Sequence, residues 1–162
     1  MAPIYLKLGR YRDAANAYAR AAQLNGESAK LLLGFAEASM LANDGIVSEE
    51  ARRAYERLLK LEPERVETHL NLAGVLAQRG KADEAVACYR RALALKPDAV
   101  EAHHDLGVAL LTQGQFDQAL AHFQQALTLD PNLAQGHLNI GNLFLAQGRF
   151  VTVHRLTSVP GR

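Results

Sequence analysis

The sequence predicts an all-α chain, an α-solenoid of stacked antiparallel helical hairpins with about three full and two partial repeats. Three observations carry that expectation. First, "VETHLNLAGVLAQRGKADEAVACYRRALALKPDA" (66–99) lies without a gap over "VEAHHDLGVALLTQGQFDQALAHFQQALTLDPNL" (100–133), a period of 34 residues. Self-similarity at this period marks supersecondary units that bury their apolar faces by stacking. Second, the apolar residues inside each copy recur at helical spacing. Third, the chain is alanine-rich, with 6% aromatics and no Trp. That composition suits helices in close contact better than sheets.

Taken in chain order, the array covers 1–150: a partial repeat at 1–28, repeats at 29–65, 66–99 and 100–133, and a partial repeat at 134–150. Residues 151–162 form an irregular tail. The opening "LKLGRYRDAANAYARAAQLN" supplies Gly9, Ala14, Tyr18 and Ala21, the second half of a unit; Ala2 to Leu8 is the end of its first helix. The next unit carries Phe35, Ala36, Ala51, Tyr55, Leu58 and Pro63. Its inner turn, "ANDGIVSEE", is about three residues longer than the others, and Ser48 is placed to start its second helix.

In the third unit Leu72, Ala73 and Leu76 share one helical face, as do Ala85, Tyr89 and Ala92 on the second helix. Gly80 supplies a left-handed residue between them. Asp83, and Asp117 in the next copy, are expected to cap second helices. Pro97 closes the unit, and Asp98 with Glu101 has the spacing of a capping box. The small residues Ala73, Gly107 and Gly141 are expected to let each first helix sit close to its partner.

The last unit has a first helix over about 134–147, with Ile140, Gly141 and Phe144. Val153, Thr157 and Pro160 then fall where Ala, an aromatic and Ala are expected. The array is therefore expected to start inside one unit and stop inside another, either as a truncated or frame-shifted piece of a longer one or with a natural short tail after a capping helix. Apolar side chains left at that end, Ile140, Phe144 and Leu145, are expected to drive self-association.

These residues resemble the tetratricopeptide repeat, whose pattern runs large-x-x-Leu-Gly/Ala, then Gly, Ala, Phe/Tyr, Ala and Pro. His69, His103 and His137 stand where that family often has Trp. "HLNLAGVLAQRGKADEA" and "HLNIGNLFLAQGRF" are similar to the arrays of O-linked N-acetylglucosamine transferases. The first half, with its long turn, resembles the repeat region of bacterial cytochrome c assembly proteins. The resemblance implies a right-handed superhelix, first helices lining the concave face, and a scaffold that binds an extended peptide segment of a protein partner there. It also implies two alternatives: the N-terminal repeat module of a larger glycosyltransferase-type enzyme, or an apocytochrome-holding assembly factor.

If Leu72 and Leu76 face the core, helical arithmetic puts Glu67, Asn71, Gly74 and Gln78 on the opposite side. The matching sets are Glu101, Asp105, Val108 and Thr112; Gln135, Asn139, Asn142 and Ala146; and Lys30, Gly34, Glu37 and Leu41. His104 is expected to turn the same way. The candidate peptide-binding residues are thus Glu67, Asn71, Gln78, Glu101, His104, Asp105, Gln135, Asn139 and Asn142. An Asn side chain offers a donor and an acceptor, which matches one peptide unit. Asn71 and Asn139 are similar to the asparagine ladder of the transferase arrays, with Asp105 interrupting it.

Lys plus Arg is 18 and Asp plus Glu is 17, so no net field favours nucleic acid or an anionic membrane. The concave face has carboxylates and almost no cations, so the expected partner segment is neutral or basic. His69, His103 and His137 recur too far apart to share one metal ion and are read as packing residues. Cys88 is alone and read as a small, partly buried apolar residue. No G-x-S-x-G, P-loop, H-E-x-x-H or G-x-G-x-x-G occurs. The expectation is a non-enzyme without cofactor or metal. The N-terminus lacks a basic head followed by an apolar run, and a cytoplasmic setting is the default expectation.

Overall fold

A computed structural model describes residues 2–42 and 49–146. Among them are nine helices and no strand: α1 (Ala2–Lys7), α2 (Tyr11–Asn25), α3 (Ala29–Leu41), α4 (Glu49–Leu61), α5 (Val66–Gln78), α6 (Ala82–Leu95), α7 (Val100–Thr112), α8 (Phe116–Leu129) and α9 (Ala134–Ala146). Each packs on the next, and α5 also touches α7, and α7 touches α9. First helices of successive units therefore line the tighter, inner side of the stack. Ser48 and the tail positions Val153, Thr157 and Pro160 lie outside the described residues.

Local chemistry explains the hairpins. Gly9, Gly80 and Gly114 hold φ of 68°, 73° and 72° between paired helices, a conformation that costs side-chain-bearing residues energy. The chain then turns back within two residues: the N–H of Lys81 donates to the carbonyl of Leu76 at 2.9 Å, and that of Gln115 to Leu110 at 2.9 Å. Ser28 caps α3, its Oγ accepting from the N–H of Leu31. The acidic caps expected downstream do not form. Lys81 and Gln115 occupy the N-cap positions of α6 and α8, so Asp83 and Asp117 fall inside the first turn. There they act on the helix dipole and not by direct capping. Likewise Ala99 precedes α7 without a side-chain cap, and Asp98 with Glu101 makes no capping box.

Packing follows the 34-residue period. Leu72, Leu76, Tyr89, Leu106, Leu110 and Phe123 belong to one buried cluster running from Ala36 to Leu143. A second cluster, Ala14, Ala15 and Ala38, joins it through Phe35, which packs on both. Each fully buried Leu or Phe contributes roughly 1.5–3 kcal/mol relative to exposure. Small residues set the spacing unevenly. Ala73 is fully buried, and a Cβ on Gly107 would lie 2.6 Å from Phe123 Cε1. Gly141 meets nothing within 4 Å among the described residues, so no close approach is seen there. Gly34, expected on the open inner face, is instead buried: a Cβ there would lie 2.5 Å from Tyr18 Cζ. Ile140 and Phe144 are half-buried against the core, while Leu138 and Leu145 of α9 are 54% and 62% exposed.

Candidate functional site

The recurring aromatics place the site. Tyr18, Tyr55 and Tyr89 sit on second helices, and each reaches the same level of the next unit's first helix. Tyr18 lies against Gly34. Asn71 acts on the Tyr55 phenol and favours its ionised form. Tyr89 feels the charge of Asp105. The inner-face polar positions are thus tied to the aromatic below them. Burial raises the Tyr55 phenol to about 12, with the Glu37 charge adding to the rise and the Asn71 amide opposing it. Burial also pushes Tyr89 up, followed by Asp105 and Glu101.

Between α5, α6 and α7 lies a groove of about 650 Å³. Gly74, Ala77, Val108 and Ala109 form its apolar walls, Gln78 and Thr112 its polar edge, and Asp105 and Tyr89 its other polar groups. The groove is deep because Gly74 has no side chain; a Cβ there would find only Tyr89 Oη, at 4.0 Å. Asp105 is anchored from behind. His104 Nδ1–H donates to Asp105 Oδ1 at 2.9 Å, and His104 Nε2 accepts from Asn139 Nδ2 at 2.9 Å. The His104 ring stands 6.0 Å from that of Phe123. This relay joins two successive units.

Of the expected binding residues, Gln78 and Asp105 line the groove. His104 and Asn139 are half-buried behind it, bonded to each other. Asn71, Glu67, Glu101, Gln135 and Asn142 are exposed. Sequence reasoning missed Tyr89 as a groove residue, because its position reads as core and its hydroxyl alone reaches the inner face. It also missed a second role for the recurring histidines. His69, His103 and His137 each donate from Nε2 to the carbonyl of the proline six residues earlier, Pro63, Pro97 and Pro131, at 2.8, 3.0 and 3.1 Å. The imidazole locks the joint between units. With Nε2 protonated, neutral His103 accepts at Nδ1 from His122 Nδ1–H, 3.0 Å away. Burial, then His103 and Arg90, lowers the His122 pKa. No three His, Cys, Asp or Glu side chains among the described residues gather as a metal cage. None of the described helices is long and apolar enough to cross a membrane.

Two tetratricopeptide-repeat family models match, one over residues 64–132 and one over residues 1–44, together well over half the chain. The chain is a tetratricopeptide-repeat protein. Its solenoid superposes on the crystal structure of MamA with a TM-score of 0.85 at 18% identity, covering 92% of this chain and 85% of that one. A second MamA structure gives a TM-score of 0.79 at 26% identity, over 91% and 86%. YrrB, described as a tetratricopeptide-repeat protein with an unusual peptide-binding site, gives 0.78 at 22% identity, over 92% and 75%.

Among sequence relatives of this repeat protein, the cytochrome c-type biogenesis protein CycH of Rhizobium meliloti is 39% identical over 84 residues, and that of Bradyrhizobium diazoefficiens 33% over 84 residues. The matched stretch is 52% of this chain but only 22% and 23% of the two CycH proteins.

Proposed function

We propose that the chain is a protein-interaction scaffold that holds an extended peptide segment along the inner face of its repeats. The observation that carries this reading is the groove between α5 and α7, open, lined by small residues, and edged by Gln78, Thr112 and Asp105. An extended peptide presents unpaired N–H and C=O groups along both edges, and side-chain amides meet both kinds. Asn71, Asn142, Gln135, Glu67 and Glu101 continue the polar lining above and below, and Asn139 holds His104 behind Asp105. Membership of the repeat family supports binding in place of catalysis. The test is selection of a random-peptide library on the full chain, followed by Asn71→Ala with Asn139→Ala. Enriched peptides should lose affinity for the double variant while its far-UV circular dichroism stays the same. Failure to enrich any peptide refutes the reading.

The likeness to CycH favours a second, narrower reading, in which the held segment belongs to an apocytochrome during cytochrome c assembly. Apocytochrome-derived peptides should then outcompete the library peptides; equal or weaker binding removes that reading. We also infer self-association through α9, because Leu138 and Leu145 are largely exposed on it. Sedimentation that stays monomeric as concentration rises contradicts it.

A further inference from the structure

The groove between α5 and α7 is not evenly polar, and its asymmetry specifies an occupant. We propose that it is a pocket for one lysine or arginine side chain of the bound segment, with the cationic head at Asp105 and the stem along Gly74, Ala77 and Val108. This rests on the peptide-scaffold reading above and adds to it the chemistry of the residue that is read.

Shape supports the stem. The levels of Asp105 and Thr112 are seven residues apart on α7, about 10 Å along a helix axis. Over that length the walls are Gly74, Ala77, Val108 and Ala109. A flexible four-carbon or guanidinium-ended chain buries its methylenes on such a surface while its head stays polar.

Charge supports the head. The lining residues include one carboxylate, Asp105, and no Lys or Arg. Glu101 lies one turn before it on α7 and is exposed. The basic residues flanking the far end, Arg79 and Lys81, are both engaged: Arg79 with Glu49 at 3.0 Å and Lys81 with Glu84 at 2.8 Å. Their charges are offset where they stand. The negative field that remains in the groove is felt by Tyr89, whose phenol is raised by Asp105 and Glu101 as well as by burial.

Orientation supports specificity. One oxygen of Asp105 accepts from His104, which Asn139 fixes in turn. The carboxylate is thereby held in one rotamer, so less freedom is lost when a cation arrives. Two neutral amide and hydroxyl groups, Gln78 and Thr112, close the opposite end. They leave no charge there to attract an acidic side chain.

The experiment uses the full chain and the library-selected peptides. Four isothermal titrations are made: the selected peptide and the same peptide with its basic residue replaced by norleucine, each against the parent chain and against Asp105→Asn. Asn at 105 is isosteric and keeps an acceptor for His104, so the relay and the fold are preserved. The expected result is enrichment of a basic residue at one fixed place. A loss of about tenfold, the size of one charge-assisted hydrogen bond, should follow on removing either charge, with no further loss on removing both. Gly74→Leu, whose Cβ meets only Tyr89 Oη at 4.0 Å and whose side chain fills the groove, should abolish binding of both peptides. Peptides that enrich without a basic residue, or that bind Asp105→Asn equally, overturn the lysine pocket and leave the scaffold standing. A library that enriches nothing overturns the scaffold and the pocket together.

Discussion

Replacing Gly107 by Ala puts a methyl group where the ring of Phe123 already lies. The new Cβ would be 2.6 Å from Cε1, 2.7 Å from Cδ1 and 3.1 Å from Cζ. Carbon atoms pack best at about 3.5–4.0 Å, so ring or helix must withdraw by about 1 Å. Phe123 has no exposed surface, so its ring has little room to retreat. Overpacking of this kind costs about 1–3 kcal/mol. Against it stands the better helix propensity of Ala, about 1 kcal/mol. The net loss should be about 0–2 kcal/mol.

Gly74→Ala on α5 is the matched control. It has the same propensity gain, but its nearest neighbour is Tyr89 Oη at 4.0 Å. It should stabilise by about 0.5–1 kcal/mol. Urea unfolding followed by far-UV circular dichroism measures both; because repeat arrays need not unfold in one step, the midpoints are compared at equal slope. A Gly107→Ala chain stabilised as much as the Gly74→Ala control would refute the close seating of Phe123 under α7.

Three further outcomes follow from the same packing. His69→Phe removes the bond to the Pro63 carbonyl at 2.8 Å and should lower stability by about 1 kcal/mol in the same urea assay; an unchanged midpoint contradicts the joint-locking role. His122 has its pKa lowered from 6.5 by burial, His103 and Arg90, so the folded chain binds fewer protons there than the unfolded one. Its contribution is complete above pH 6.5 and is lost as pH falls through the depressed folded value. The urea midpoint should therefore drop on acidification below 6.5, with a smaller drop in His122→Gln; equal drops refute it. Burial, then Glu84 and Glu56, raises the Cys88 thiol. A disulfide reagent at pH 8 should react with the folded chain on the order of tenfold more slowly than in urea, and equal rates would place Cys88 at the surface.

The repeat period, the helical hairpins and the turns at Gly80 and Gly114 were legible in the sequence, because each rests on contacts within a few residues. A left-handed glycine between two apolar periodicities has few alternative structures. The caps were less legible: Asp83 and Asp117 lie two residues past the N-cap, since Lys81 and Gln115 take the boundary. A shift of two residues in where a helix begins does not alter the hydrophobic pattern, so the pattern cannot report it. The inner-face placement of Gln78 and Asp105 also followed from helical arithmetic, because opposite faces of a helix are fixed by its pitch.

What the tertiary structure decided is which of these equivalent positions are open and which are filled. Gly34, Asn71 and Asp105 occupy the same register, yet Gly34 is covered by Tyr18, Asn71 acts on the Tyr55 phenol, and Asp105 faces the groove. Gly107 and Gly74 are neighbouring register positions, one closed by an aromatic ring and the other forming the groove. In each case the deciding atom comes from a second helix of the same or the preceding unit. Local pattern dictates that a side chain points inward or outward, but only the stacking of whole units determines what it meets there.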